Sequence, residues 1–236
     1  MTNTNVGPLR LAVGSHKAGS GRGCAMNVIS WENGDSRISD MPDCTHPFLS
    51  RVVQLLNDSI CAHRDGDLLC ADCSVIVLGL AHRTVGTADA DPDGRVMVRI
   101  AAEEAQRVAH LNSDPRVQAA IDAALAWADT PTAAAAYAAN AAAGRVVAYA
   151  ATRATHAAAY AAYAAAGRVE QTADAYAARA TYATYAADAA ADAYAGRVEQ
   201  TERIIDRFRA LTGHDTTAPD PTVTAQAITR MLQVTA

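Results

Sequence analysis

The amino-acid sequence predicts an all-α protein, and three observations carry that prediction. A capping residue followed by proline, which favours the start of a helix, occurs at Asp114-Pro115, Thr130-Pro131 and Asp220-Pro221. Alanine, the residue with the highest helix propensity, makes up 34 of the 63 residues from 133 to 195. Residues 95–100, RVMVRI, are the one strand-like stretch, but Ala-Ala-Glu-Glu-Ala follows directly, so we expect a helix to begin there.

The first half of the chain contains a glycine-rich loop and several apolar segments. Four glycines between residues 14 and 23 predict a loop, because glycine is costly inside a helix or strand. Residues 24–31 predict a short helix that Asn33-Gly34 closes. Pro47 suits the first position of a second helix, and another apolar segment spans residues 68–81. We expect residues 1–129 to form an N-terminal helical domain.

The second half, residues 130–236, is expected to be an alanine-rich helical repeat region that ends in amphipathic helices. Gly144, Gly167 and Gly196 interrupt the alanine tract and are expected to be the hinge points of antiparallel hairpins. No capping residue follows these glycines directly, so a continuous helix through at least one of them is the alternative. Gly213 is a suitable residue to end the amphipathic helix that precedes it.

Charge and hydropathy exclude some classes of function. The net charge of −5 lacks the basic footprint of a nucleic-acid-binding protein, and residues 133–195 balance four arginines against four acidic residues. No apolar run approaches the roughly 18 residues that a membrane span needs. The first ten residues, MTNTNVGPLR, lack the apolar region of a signal peptide, so the expected location is the cytoplasm.

Large side chains recur at steps of four and three within residues 146–166. They are Tyr149, Arg153, His156, Tyr160 and Tyr163. On a helix these five residues, called here the tyrosine stripe, fall within about 80° of one another and leave the opposite face almost purely alanine. One interpretation is structural, with the rings covering neighbouring alanines. The other is a protein-binding face, because Tyr and Arg are enriched at interface hot spots.

Four residues in the middle of the first half have side chains that zinc accepts as ligands. They are Cys61, His63, Cys70 and Cys73. Their spacing is irregular and the last two lie in an apolar segment, so packed core thiols are the preferred interpretation and zinc is the alternative. Without a secretion signal, we expect these cysteines to be reduced.

A second cysteine group could support nucleophilic catalysis. Cys24 lies where the glycine-rich loop becomes a helix, and the end of a helix can lower the pKa of a thiol. His16 or His46 could act as its base, and Asp40 could orient that base. The alternative is a structural role for Cys24.

Several short motifs resemble a family of uncharacterised alanine-rich proteins of actinobacteria and their phages. They are Gly14-Ser15-His16, Gly23-Cys24-Ala25-Met26, Ser39-Asp40-x-Pro42-x-Cys44-x-x-Pro47, Leu56-Asn57-Asp58, Val85-Gly86-Thr87 and Ala225-x-x-x-x-Arg230-Met231-Leu232. The resemblance spans nearly the whole chain. It places Cys24 and Cys44 in one block, which suits two structural thiols that hold a loop against the core. It implies an architecture and a source in actinobacteria or their phages, and it implies no activity.

The preferred function is therefore that of a non-catalytic helical interaction or scaffold protein, which acts on a protein partner or self-associates through the tyrosine stripe. The resemblance implies a phage- or mobile-element-encoded protein. The alternative is a small cysteine- or metal-dependent enzyme centred on His16, Cys24, Asp40 and Cys44. The preferred function requires no cofactor.

Overall fold

The all-α prediction is confirmed by a computed structural model that describes residues 10–14, 16, 20–111, 114–147 and 194–214. These ranges contain seven α-helices and no strand, and 64% of the described part is helical. None of the described helices is long and apolar enough to cross a membrane. By their contacts the residues divide into two compact units, one ending at Ala88 and one spanning Asp89–His214.

The first unit contains three mutually packed helices, α1 (Ala25–Asn33), α2 (Pro47–Ser59) and α3 (Ala71–His82). As expected, α1 is closed by Gly34, whose φ of 76° lies in the left-handed region that glycine adopts most easily. Pro47 is the first residue of α2, also as expected. The core is apolar, and its largest fully buried side chains are Leu11, Met26, Ile29, Phe48, Leu49, Leu56, Ile60 and Leu69.

An extended segment, residues 10–13, crosses this unit and is held by hydrogen bonds on both sides. The Ala12 backbone N–H donates to the Gly23 carbonyl at 2.9 Å, and the Leu69 N–H donates to the Leu11 carbonyl at 2.8 Å. The Asn57 side-chain amide donates to the Ala12 carbonyl at 2.9 Å. Buried backbone groups must be paired, so these bonds allow Leu11 and Ala12 to lie fully inside the core.

The second unit contains four α-helices within the described ranges. They are α4 (Arg95–Val108), α5 (Pro115–Asp129), α6 (Ala133–Val147) and α7 (Tyr194–Thr212). Helix α5 packs against both α4 and α6, and α7 packs against α4. Residues 95–100 are confirmed as the start of a helix. The Asp91 carboxylate accepts hydrogen bonds from the Val96 and Met97 backbone N–H groups at 3.1 and 2.9 Å, which satisfies the helix end.

Helix α6, the described beginning of the alanine tract, buries alanine and exposes tyrosine. Its buried residues share one face, which we call the alanine seam: Ala136, Ala139, Ala142 and Ala143. Tyr137 lies outside the seam and is 63% exposed. Side chains this small let two helix axes approach closely, and the partner of α6 is α5.

Some helix ends differ from expectation. The Thr132 hydroxyl, and not Pro131, defines the start of α6, because it accepts a hydrogen bond from the Ala135 N–H at 3.1 Å. Gly144 and Gly196 lie within α6 and α7, so neither is a hinge. One interior glycine costs a helix only about 1 kcal/mol, and the neighbouring alanines offset that cost.

The end of α7 follows the prediction. Gly213 has a φ of 74°, and the His214 N–H donates to the Arg209 carbonyl at 2.9 Å, which is the bond of a Schellman motif.

The domain boundary expected after residue 129 falls between α5 and α6, which pack extensively on each other. The contacts instead divide the chain after Ala88.

Candidate functional site

Cys24 lies at the N-terminus of α1 as predicted, but its surroundings oppose ionisation. The side chain is 2% exposed, and its thiol faces Asp40 Oδ1 at 3.6 Å. Burial, followed by the negative charge of Asp40, raises the pKa of Cys24 to about 12, although backbone N–H groups of α1 act in the opposite direction. The thiol is therefore protonated at neutral pH.

Asn27 completes this arrangement at the start of α1. Its Nδ2 donates to Asp40 Oδ1 at 2.8 Å, and its Oδ1 accepts from the Cys24 backbone N–H at 3.1 Å. Cys24 and Asn27 form a reciprocal capping box. Gln54 Nε2 of α2 donates to the Asp40 carbonyl at 2.7 Å. The Cys24 and Asp40 pair thus joins the loop before α2 to both helices, which is a structural role.

Cys44 and Cys24 lie close to different charged residues. Cys44 is half-buried, and its pKa is raised by burial first and then by the charges of Asp35, Asp43 and Glu32. Asp35 holds that loop, because it accepts hydrogen bonds from the Ser30 hydroxyl at 2.7 Å and the Asp43 N–H at 3.2 Å. The two thiols predicted for one catalytic group therefore respond to separate sets of charges.

The two histidines considered as bases do not bond to Cys24. His16 is half-buried with a buried Nε2, and no hydrogen bond within the described ranges joins that atom to another residue. His46 is the N-cap of α2, and its Nδ1 accepts from the Phe48 N–H at 3.3 Å. Of the predicted group, the structure pairs Cys24 with Asp40.

Buried His82 and half-buried Glu32 form a pair of ionisable side chains that the sequence does not predict. His82 Nε2 lies 2.7 Å from Glu32 Oε2, and Nδ1 lies 2.9 Å from the Leu78 carbonyl. Both neighbours are acceptors, so the doubly protonated imidazolium satisfies both contacts. Burial lowers the pKa of His82, but the hydrogen bond and charge of Glu32 and the Leu78 carbonyl raise it by more. The partners are 50 residues apart, so no local pattern signals them.

Three of the four predicted zinc ligands meet between α2 and α3. The Sγ atoms of Cys61, Cys70 and Cys73 all lie within 4.8 Å of one another, and we call these residues the thiol cluster. Cys61 and Cys73 are buried, Cys70 is half-buried, and no disulfide joins the three. His63 is exposed and does not join the cluster.

Cys61 is the hydrogen-bond acceptor of the thiol cluster. Its Sγ accepts from the Cys70 backbone N–H at 3.3 Å. Burial raises the pKa of Cys61, but this bond, the thiols of Cys73 and Cys70 and the His63 backbone N–H lower it by more. The sulfur of Cys61 is thus placed to carry negative charge, unlike that of Cys24.

The tyrosine stripe lies outside the described residues. The same is true of Gly167 and of the helix predicted after Pro221. Among the tyrosines, Tyr137 is the one whose side chain the structure describes, and it is exposed on α6.

Comparisons with protein-family models, with curated proteins and with solved structures give no match to this chain.

Proposed function

We propose that this chain is a non-catalytic helical interaction or scaffold protein, whose alanine-rich tract presents tyrosines to a protein partner or to a second copy of itself. The observation that carries the proposal is the division of faces in α6. Its alanine seam is buried and the helix packs on α5, whereas Tyr137 is 63% exposed. A helix that buries a seam of alanines leaves a larger side chain such as Tyr137 available for other contacts.

The sequence predicts the same division farther along the tract. On a helix, the spacing of four and three in the tyrosine stripe would place five large side chains on one face, opposite alanine. Tyrosine and arginine supply rigid contact area and hydrogen bonds at interfaces, which suits them to recognition. With the charges of the tract balanced, a protein surface is a better partner than a nucleic acid. A phage- or mobile-element-encoded protein of this kind would act on a factor of its host.

The alternative centred on Cys24 is not proposed as a catalytic site. A nucleophilic thiol needs a lowered pKa and a base within hydrogen-bond reach. Cys24 has a pKa raised to about 12 and is joined to a carboxylate and to the end of a helix. Its geometry supports a role in holding α1, α2 and the loop between them.

Two substitutions in α6 test the division of faces by their effect on stability. Ala139→Leu, in the middle of the seam, should overpack it and lower the free energy of unfolding by about 1–3 kcal/mol. Tyr137→Ala should change it by less than about 0.5 kcal/mol, as is usual at the surface. Ala138→Leu, on the exposed side, is the matched control and should also be nearly neutral. Urea unfolding measures all three, and a larger loss from Tyr137→Ala than from Ala139→Leu would contradict the proposal.

Binding is tested by site-specific photocrosslinking along the stripe. A photoreactive phenylalanine analogue at position 149, 160 or 163 should give a discrete adduct in cells that produce the protein. The same analogue at position 158, a tract alanine off the stripe, is the control and should give none. An adduct of two copies identifies self-association, and one with another protein identifies the partner. Equal adducts at position 158, or none on the stripe, would refute a recognition face.

A further inference from the structure

The thiol cluster has the dimensions of a metal site. A tetrahedral zinc site with Zn–S bonds of about 2.3 Å separates its sulfur atoms by about 3.8 Å. The three Sγ atoms already lie within 4.8 Å of one another, so each pair must close by no more than about 1 Å. Rotation about the Cα–Cβ bonds supplies movement of that size without displacing the backbone.

The loop that connects Cys61 to Cys70 fixes this geometry. Asp65 and Leu68 exchange two backbone hydrogen bonds, of 3.0 and 3.1 Å, around Gly66. Gly66 has a φ of 62°, a left-handed conformation that glycine adopts without strain. The resulting tight turn returns the chain, so that two cysteines nine residues apart come together.

Contacts from the extended segment and from Arg22 also hold this loop in place. Arg10 Nε donates to the Leu69 carbonyl at 3.0 Å, and the Val13 N–H donates to the Asp67 carbonyl at 2.9 Å. Arg22 forms an ion pair with the Asp67 carboxylate. The loop is therefore positioned by protein groups, and a bound ion would gain a site that needs little ordering.

The local electrostatics favour thiolate ligands. Cys70 is the N-cap of α3 and Cys73 lies in its first turn, where the helix dipole stabilises negative charge. The backbone N–H that Cys70 donates to Cys61 Sγ is the kind of second contact that orients a metal-bound ligand. Ordinary packed core thiols require neither feature. Cys70 is half-buried, which gives an ion a path to the cluster.

We propose that Cys61, Cys70 and Cys73 form a zinc site of three thiolates, with the fourth position open to water. The ion would join the end of α2 to the start of α3 and so stabilise the first unit. This inference is independent of the proposed function, since it needs neither the tyrosines nor a partner.

Cobalt(II) is the probe, because cobalt bound by thiolates absorbs strongly and zinc does not. The full chain, reduced and freed of metal with a chelator, should bind one equivalent of Co²⁺ with an intense thiolate-to-cobalt charge-transfer band. One equivalent of Zn²⁺ should remove that band. Absence of the band, or a band without a defined stoichiometry, would overturn the proposal.

Variants identify the ligands. Cys70→Ser is the preferred ligand variant, because serine is a good N-cap and should leave α3 intact. Loss of a hydrogen bond to a metal-bound side chain typically weakens metal binding about 10–100-fold, so loss of the ligand itself should weaken it by more than about 100-fold. Cys73→Ser should have a similar effect, and circular dichroism checks that both variants are folded.

Two controls separate the thiol cluster from other donors. Cys44→Ser removes a half-buried cysteine outside the cluster and should leave the affinity unchanged. His63→Ala removes the exposed imidazole two residues from Cys61 and should change the affinity by less than about tenfold. A loss in His63→Ala as large as in Cys70→Ser would overturn the three-thiolate assignment.

Discussion

The two units of the molecule hold their helices together in different ways. In the first unit, short polar side chains inside the core bond to the backbone of neighbouring segments. Asn57 and Ser74, which are 1% and 0% exposed, both bond to the segment of residues 10–13. In the second unit, α6 packs on α5 and buries the alanine seam, and charged side chains join α7 to α4.

The difference shows which contacts specify each unit. Directional bonds to a backbone group allow one position for a loop, so they suit a unit in which loops lie between short helices. A seam of alanines is smooth and does little to fix how two helices are aligned along it. Between α4 and α7, by contrast, charge pairs at defined positions fix how the helices are aligned. Glu104 pairs with Arg203, and Glu103 pairs with Arg207.

The largest expected effect is in the second unit, at Arg203. Its guanidinium makes two bonds to Glu104, of 3.0 and 2.9 Å, and the Glu104 side chain is 7% exposed. Arg203→Ala leaves that carboxylate buried without its cation and should cost about 3 kcal/mol, the lower end for such a loss because the guanidinium itself is partly exposed. Chemical denaturation of the full chain measures the change.

Arg207 provides the matched control. It makes the same two-bond contact with Glu103 one helical turn away, but both side chains are more exposed. Arg207→Ala should cost only about 0–1 kcal/mol. Equal losses of stability in Arg203→Ala and Arg207→Ala would mean that the burial of Glu104 does not decide how much its ion pair contributes. Charge pairing would then fix the position of α7 on α4 less than we infer.

The next largest effect is expected in the first unit, at Asn57. Asn57→Ala leaves the Ala12 carbonyl and the Ala25 N–H without the side-chain partner that each now has. Buried groups that lose a partner cost about 1–3 kcal/mol, so the free energy of unfolding should fall by about 2 kcal/mol.

An amide in the second unit serves as control for Asn57. Gln118 pairs with Gln106 at the surface, with bonds of 3.1 and 2.7 Å, and Gln118→Ala should change stability by less than about 0.5 kcal/mol. Thermal unfolding compares the two variants. If Asn57→Ala were as neutral as Gln118→Ala, the directional bonds would not distinguish the units.

The smallest effect is a dependence of stability on pH that originates in the first unit. The pKa of His82 is raised by Glu32 in the folded protein, so the protonated imidazole favours folding. This contribution is complete below the unfolded pKa of about 6.5, and it is lost as pH rises through the higher folded value.

Urea midpoints measured between pH 5.5 and 9 should therefore show the native protein losing stability toward alkaline pH relative to Glu32→Gln. His82→Gln, which removes the titrating ring, should show the same reduced dependence as Glu32→Gln. Identical slopes in the native protein and both variants would exclude this pair as the source.

Local signals predicted the helices well because each signal acts within one turn. Gly34 and Gly213 end α1 and α7, and Pro47 and Asp114-Pro115 begin α2 and α5, as their conformational preferences require. The sequence leaves alternatives open where two local preferences compete. Gly144 suits either a hinge or the interior of a helix, and it lies inside α6 because the helix propensity of the surrounding alanines exceeds the cost of one glycine.

The sequence does not show which residues form a site when those residues lie far apart along the chain. Residue types that ligate zinc could be recognised, but only the turn at Gly66 places Cys61 near Cys70 and Cys73 and leaves His63 exposed. Cys24 was correctly placed at the end of a helix. Its raised pKa follows from burial and from Asp40, which lies sixteen residues away along the chain.

The sequence alone determined the all-α fold and most of the helix ends. These depend on backbone preferences and on helical periodicity, both of which are properties of neighbouring residues. Tertiary structure decided which polar and ionisable groups meet, as in the pairs His82–Glu32 and Cys24–Asp40. Burial and charge proximity set the pKa of a side chain, and both arise only when distant segments pack together.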